Sequence, residues 1–273
     1  MNRYVALRVV FCCWTLLLTQ PAAAQNIEWE TLNQEVLSLY RQGRYDRAVV
    51  VAKKALDVAE KSHGPTHPDV ATSLNNLAEL YRTQGQYAAA EPLFKRALAI
   101  WEKALGPTHP DVATSLNNLA ELYRTQGQYA AAEPLYKRSL AINEKALGPT
   151  HPDVATSLNN LAALYNSQGQ YAAAEPLYKR ALAIKEKALG TAHPDVATSL
   201  NNLAELYRLQ GQSAVAEPLY KRALSIFEKA LGPNHPDVAT TLENMSVMYA
   251  NLNKPDLAKQ YADRAERIRE IKR

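Results

Sequence analysis

Cysteine is almost missing from this chain of 273 residues, which contains only Cys12 and Cys13. Both lie within the first 24 residues, a segment that we expect to be removed. The remaining chain then has no cysteine at all. This composition excludes disulfides, thiolate catalysis and cysteine-ligated zinc from the mature protein.

Long hydrophobic runs are also missing, and the longest uncharged and mostly apolar stretch covers only 9–18. Two basic residues, Arg3 and Arg8, lie before this stretch, and three alanines ending at Ala24 lie after it. These features predict a secretory signal over 1–24, with cleavage before Gln25. About 18 apolar residues are needed to span a bilayer, so we expect no stable membrane anchor. The protein is therefore expected to be exported, to the periplasm or the medium.

Neither sign of charge dominates, because 31 Lys and Arg face 27 Asp and Glu. Loss of Arg3 and Arg8 with the signal lowers the formal net charge from +4 to +2. A nucleic-acid-binding protein normally carries a clustered basic surface. We therefore expect no nucleic acid partner.

Glycine is scarce too, but the ten glycines are evenly spaced. They recur every 21 residues from Gly43 to Gly232. Two glycines make one repeat of 42 residues, and the blocks that start at Gly64 and Gly106 differ at only three positions. After the signal, the predicted units are 25–63, 64–105, 106–147, 148–189, 190–231 and 232–273.

Each unit predicts two helices. In the block from Gly64, Pro68 suits a first helical turn, and apolar residues then recur at helical spacing as far as Tyr81. Gly85 ends this helix, because glycine can take the left-handed conformation at a helix end. A second helix runs to about Leu105. Pro92 is tolerable only if it lies within about the first turn of this second helix.

The spacing of apolar and small residues resembles the tetratricopeptide repeat, and the 42-residue length resembles its kinesin light chain subclass. The residues that carry this resemblance are Leu74, Leu77, Ala78, Tyr81, Gly85, Tyr87, Ala90, Phe94 and Ala97. The resemblance implies an all-α fold, an α-solenoid wound as a right-handed superhelix of helix-turn-helix repeats. It also implies a binding function, with the first helices lining a concave groove.

Motifs for catalysis or nucleotide binding are missing. Every glycine is used at a helix break, and no dinucleotide, Walker, zinc-protease or serine-hydrolase motif occurs. We therefore predict that the protein is not an enzyme, with no catalytic residue, no cofactor and no metal.

Two polar ladders favour a structural interpretation. A histidine followed by Pro-Asp recurs once in each unit, and neighbouring helices about 8–10 Å apart cannot share a zinc ion through it. We expect these histidines, His67, His109, His151, His193 and His235, to bond locally. A Lys-Arg pair such as Lys95-Arg96 also recurs, with a glutamate four residues before each lysine. We expect this face to be solvated and self-paired.

A third ladder is the candidate site. On the first helices, polar residues lie opposite the apolar face, where asparagine can donate and accept bonds to a peptide backbone. The alternative is that one asparagine of each pair bonds within its own repeat. The candidate residues are Asn75, Asn76, Glu79, Arg82, Asn117, Asn118, Glu121, Arg124, Asn159, Asn160, Asn201, Asn202, Glu205 and Arg208.

The predicted function is a non-enzymatic scaffold that binds a partner protein or peptide in this groove. The arginines favour an acidic partner, although the nearby glutamates oppose them. Self-association through the near-identical repeats and a recruiting role in an enzyme complex are the alternatives. One column varies where almost all else repeats. Its side chains either tune the choice of partner or are exposed and unconstrained, and its residues are Trp101, Asn143, Lys185 and Phe227.

Overall fold

The computed structural model describes residues 20–271, with side chains from residue 27 onward. Most of the predicted signal segment lies outside the described residues. The described chain is all-α, a helical repeat solenoid of twelve helices. Their bounds are α1 Gln20–Arg41, α2 Tyr45–His63, α3 Pro68–Thr83, α4 Tyr87–Leu105, α5 Pro110–Thr125, α6 Tyr129–Leu147, α7 Pro152–Ser167, α8 Tyr171–Leu189, α9 Pro194–Leu209, α10 Ser213–Leu231, α11 Pro236–Asn251 and α12 Pro255–Glu270.

The helices fall into two compact units. The first unit extends to Pro107 and contains α1–α4, and the second begins at Thr108 and contains α5–α12. Within each unit the two helices of a repeat pack against each other, and the second helix also packs against the first helix of the next repeat. Each repeat thus buries its apolar faces against its neighbours, as in other repeat proteins.

The repeated tripeptide His-Pro-Asp begins the first helix of five repeats. In α7, His151 is the N-cap and its Nδ1 accepts the Asp153 backbone N–H at 3.2 Å. Pro152 occupies the first turn, where its missing N–H has no helical partner to lose. At the other end, Gly169 has φ +72°, and the N–H of Gln170 returns to the Tyr165 carbonyl at 2.8 Å. This pair of caps explains why the helix keeps its length from repeat to repeat.

The core of the second unit lies between the two helices of each repeat and continues into the next repeat. Leu158 and Leu164 of α7 are fully buried, and so are the small residues Ala162 and Ala174. The alanines let α7 and α8 approach closely while the leucines fill the space around them. Within residues 20–271, no helix is both long enough and apolar enough to cross a membrane.

Pro92 lies deeper in its helix than the sequence suggested. It is the sixth residue of α4, in the second turn, and cannot donate to the Ala88 carbonyl. Pro92 and Ala88 are both exposed, so water can reach the carbonyl that the helix leaves unbonded.

The variable column is buried, which corrects the expectation that it could be exposed. Trp101, Asn143, Lys185 and Phe227 have relative accessibilities of 7%, 4%, 7% and 3%. These side chains therefore belong to the packing of the repeats and cannot contact a partner from the surface.

Candidate peptide-binding surface

The first helices of successive repeats face one another in the second unit. Contacts join α5 to α7, α7 to α9 and α9 to α11, whereas among the described residues α6, α8, α10 and α12 make no such contacts with one another. The first helices therefore lie on the closely spaced, inner side of this unit. This is the side on which the sequence placed the candidate residues.

The asparagine ladder forms bonds between repeats. Asn202 Nδ2 donates to Asn159 Oδ1 at 3.2 Å, and Asn244 Nδ2 donates to Asn201 Oδ1 at 3.4 Å. In the first unit Asn76 makes the same kind of bond, to Asn33 at 3.0 Å. In these three pairs one amide bond supports stacking between repeats, whereas the alternative drawn from the sequence was a bond within one repeat.

The asparagines are unequally accessible. Asn159, Asn160, Asn201 and Asn202 are partly exposed, as are Asn75, Asn76 and Asn118. Asn117 is buried, and its Nδ2 donates to Ser157 Oγ of the next repeat at 3.3 Å. Asn117 therefore belongs to the interface between α5 and α7, and a peptide on the inner side would not reach it.

The three groove arginines are each held by the glutamate three residues earlier. Arg208 donates from Nε and Nη2 to the two carboxylate oxygens of Glu205, at 2.7 Å and 2.5 Å. Arg82 with Glu79 and Arg124 with Glu121 repeat this two-point geometry. The hydrogen bond to Glu121 raises the pKa of Arg124 further, and that to Glu205 does the same for Arg208. Each pair is close to neutral overall, so these arginines give little attraction for an acidic ligand.

A tyrosine of the second helix completes two of these pairs. Tyr136 OH donates to Glu121 at 2.7 Å, and Tyr220 OH donates to Glu205 at 2.7 Å. Burial, followed by the charge of the glutamate, raises the pKa of both phenols. Both hydroxyls therefore stay protonated and act as donors at all ordinary pH values.

The repeat formed by α7 and α8 lacks the carboxylate. Ala163 stands where its neighbours have glutamate, Asn166 replaces arginine, and Tyr178 keeps the tyrosine. Asn166 Oδ1 is buried without a hydrogen-bond partner among the described residues. Arg124 reaches across from the preceding repeat, where its Nη1 donates to Ser167 at 3.2 Å. This repeat therefore keeps the tyrosine of the network but lacks both its carboxylate and its arginine.

The other two ladders have the structural roles that were predicted. All five histidines of the His-Pro-Asp ladder accept the backbone N–H two residues later, which confirms local bonding. The lysines pair with the glutamates four residues earlier, at 2.6–2.7 Å. Several arginines beside them pair with a glutamate of the preceding repeat, as Arg222 does with Glu186 at 2.7 Å. The Lys-Arg face is thus self-paired.

The sequence patterns did not point to one possible metal ligand, His63. His63, at the end of α2, lies beside His67 and Asp69. The available signal was its position, because His63 stands where the later repeats have leucine: Leu105, Leu147, Leu189 and Leu231.

The family model of the tetratricopeptide repeat matches almost the whole described chain. It matches five overlapping segments, 30–103, 76–145, 116–187, 153–229 and 195–271. The second helices α2, α4, α6, α8 and α10 have 19 residues each, against 16 in the first helices α3, α5, α7, α9 and α11.

Solved structures similar to this chain include kinesin light chain-type repeat proteins. BtubC (BKLC) from P. vanneervenii is 27% identical, with a TM-score of 0.64 over 88% of this chain and 91% of that one. A kinesin light chain-like protein of Podosopora anserina with nearly identical repeats is 30% identical, with a TM-score of 0.60 over 74% of this chain and 96% of that one. A Rap protein in complex with Competence and Sporulation Factor shares the fold, at 16% identity and a TM-score of 0.65 over 90% and 76% of the two chains.

Proposed function

Because the chain belongs to the tetratricopeptide repeat family, we propose that it is an exported, non-enzymatic scaffold that binds an extended segment of a partner protein on its first helices. Folds of this class typically host binding, and the Rap protein of the same fold was solved with a bound factor. The partly exposed amides of Asn159 and Asn202 support this proposal. Their mutual bond uses one oxygen and one N–H, and each amide can make more bonds than this.

The observation that carries the proposal is the missing carboxylate at Ala163. In the repeats on either side, a glutamate at this position accepts from a tyrosine and an arginine. Here the tyrosine, Tyr178, is kept and is only 3% exposed, and Asn166 offers an amide N–H donor where the neighbours have arginine. A carboxylate supplied by a partner peptide would restore the arrangement that the neighbouring repeats complete internally.

The preference for an acidic partner therefore rests on this one repeat. The arginines at 82, 124 and 208 are already neutralised by their own glutamates. Arg124 nevertheless donates from Nη1 to Ser167, one residue after Asn166, so a guanidinium N–H lies close to this repeat. A hydrogen bond to a charged group contributes about 1.5–3 kcal/mol, enough to select Glu or Asp at one peptide position.

The test uses displayed linear peptides of twelve residues, selected on the full chain. Selected peptides are remade with each Glu or Asp changed to Gln or Asn, and both versions are titrated by calorimetry. We expect the amide versions to bind about 10–100-fold more weakly. Ala163→Glu, which restores the residue of the neighbouring repeats, should weaken binding by a similar factor while the fold is kept.

Ala141→Glu is the matched control. Ala141 is exposed on the second helix α6, so this variant adds the same charge away from the inner side and should bind like the wild type. Equal affinities of the Ala163→Glu variant and the wild type, or of the acid and amide peptides, would remove the basis for the proposed site.

Export is supported by the N-terminal sequence, with its basic start, short apolar run and alanines before Gln25. Expression of the full chain with N-terminal sequencing of the product tests it. A mature start near Gln25 is expected, and a product that retains 9–18 would contradict export by cleavage.

A further inference from the structure

His63, His67 and Asp69 form a compact cluster at the junction of α2 and α3. His63 is the last residue of α2, His67 is the N-cap of α3, and Asp69 lies in its first turn. Gly64, with φ +81°, ends α2 and lets the chain turn back. The two imidazole rings consequently stack, with centroids 4.4 Å apart and planes at 24°.

Both imidazoles face the same carboxylate oxygen. Asp69 Oδ2 lies 3.3 Å from His63 Nδ1 and 3.2 Å from His67 Nδ1. The ligand atoms of all three residues lie within 4.8 Å of one another. Ligand atoms about 2.0–2.1 Å from a tetrahedral zinc ion are themselves about 3.3–3.4 Å apart. The spacing around Asp69 therefore matches the edges of a zinc coordination tetrahedron.

His63 Nδ1 is the second observation. This atom is buried and has no hydrogen-bond partner among the described residues, although the carboxylate oxygen is close. A buried ring nitrogen facing a carboxylate without a bond is costly, and a cation between the two atoms would satisfy both. Apart from the ion pair that a protonated ring would make with Asp69, this nitrogen has no polar partner among the described residues, so a neutral ring can offer it as a metal ligand.

The cluster occurs at one junction only among the repeats. At the later junctions the position of His63 is leucine, so the ladder histidine there has no second imidazole beside it. The aspartate differs as well. The Asp69 side chain is 22% exposed, whereas Asp153, Asp195 and Asp237 are 62%, 59% and 52% exposed. Among the junctions that the structure describes, only the first encloses its carboxylate.

We propose that His63, His67 and Asp69 bind a zinc ion that joins the end of α2 to the start of α3. Two imidazole nitrogens and one carboxylate oxygen are a typical zinc ligand set, with water in the fourth position. His67 Nδ1 also accepts the Asp69 backbone N–H at 3.2 Å. Binding through His67 exchanges this one hydrogen bond for the metal, or uses Nε2 after rotation of a ring that is 42% exposed.

The test is calorimetric titration of Zn²⁺ into the untagged, metal-stripped full chain. One ion per chain is expected. Substitution by Co²⁺ should give the visible absorption of a tetrahedral or five-coordinate ion with nitrogen and oxygen ligands. His63→Leu introduces the residue of the later junctions and should keep the fold. Loss of an outer-shell partner of a metal ligand can weaken metal binding by about 100-fold. His63 is proposed as a direct ligand, so this variant should weaken Zn²⁺ binding by at least that factor.

A matched pair separates coordination from helix capping. His67→Asn removes the imidazole but keeps an N-cap acceptor, and it should lose binding as His63→Leu does. His235→Asn makes the same change at the last junction and should bind Zn²⁺ like the wild type. Unchanged affinity in either His63→Leu or His67→Asn, equal loss in His235→Asn, or no stoichiometric binding by the wild type would overturn the proposal.

Discussion

The buried column at 101, 143, 185 and 227 accepts four chemically different side chains in one packing position. Asn143 satisfies its amide by donating to Ser157 Oγ at 3.0 Å. Lys185 is only 7% exposed. Burial lowers the pKa of its ammonium group, and the charge of Asp195 acts in the opposite direction. Charge at this position therefore opposes folding, since a buried ammonium loses more hydration than one distant carboxylate returns.

Replacing Lys185 by methionine should stabilise the protein. Methionine keeps the unbranched shape of the stem and removes the charge, and we expect a gain of about 1–3 kcal/mol in the free energy of unfolding. Lys187→Met, on the exposed side of the same helix, is the control and should change stability little. Urea unfolding at neutral pH measures both, and a destabilised Lys185→Met variant would show that the ammonium has a stabilising partner.

The same residue predicts a pH dependence. Because the pKa of Lys185 is lowered in the folded state, the unfolded chain holds this proton to higher pH, up to about 10.4. Between the lowered pKa and that value the unfolded state binds more protons, so stability rises with pH. Unfolding curves over this range should show the rise in the wild type, and Lys185→Met should lack that contribution.

The burial of this column was within reach of the sequence. Phe94, Ala97 and Trp101 stand at i, i+3 and i+7, which is the spacing of one helix face. The polar side chains of Asn143 and Lys185 hid this apolar face in the other repeats. The gap at Ala163 was also visible as a break in the ladder, but its meaning required the bonds from Tyr136 and Tyr220 to the neighbouring glutamates.

At the scale of the helices, the bounds followed from local signals. The period of the glycines and the His-Pro-Asp caps act within a few residues, so the sequence contains them directly. Bonds between repeats could not be predicted in this way. Arg180 pairs with Glu144, and Asn202 with Asn159, through the relative placement of helices that lie far apart in the chain.

The histidine caps can be tested in one helix. His151→Ala removes the acceptor of the Asp153 N–H and should cost about 1 kcal/mol of stability. His151→Asn supplies another side-chain acceptor and should restore most of it. Thermal or urea unfolding distinguishes them, and equal loss in both variants would mean that the ring packs rather than caps.

At the scale of the whole chain, the interfaces of the second unit are nearly interchangeable. In α7, α9 and α11 a tyrosine donates to a glutamate of the preceding second helix. These pairs are Tyr165–Glu133, Tyr207–Glu175 and Tyr249–Glu217. In α8, α10 and α12 an arginine pairs with a glutamate of the preceding second helix. These pairs are Arg180–Glu144, Arg222–Glu186 and Arg264–Glu228. Stability in such a stack is approximately a sum over repeats and nearest-neighbour interfaces.

Deletion of 148–189 should therefore leave a folded, shorter protein. The cut joins Leu147 to Gly190, which reproduces the Leu-Gly junction of the other repeats, and brings Ser199 to the position of Ser157 beside Asn143. The deletion also removes the buried charge of Lys185, which offsets part of the stability lost with one interface.

Far-ultraviolet circular dichroism of the product should give the same helicity per residue as the wild type, with one cooperative melt. Deletion of half a repeat, 148–168, is the control. It removes α7 alone and places α8 directly after α6, so α8 loses the first helix against which it packs, and we expect a loss of helicity. Loss of helicity in the 148–189 deletion, or retention of full helicity in the 148–168 deletion, would show that the 42-residue repeats are not the independent units.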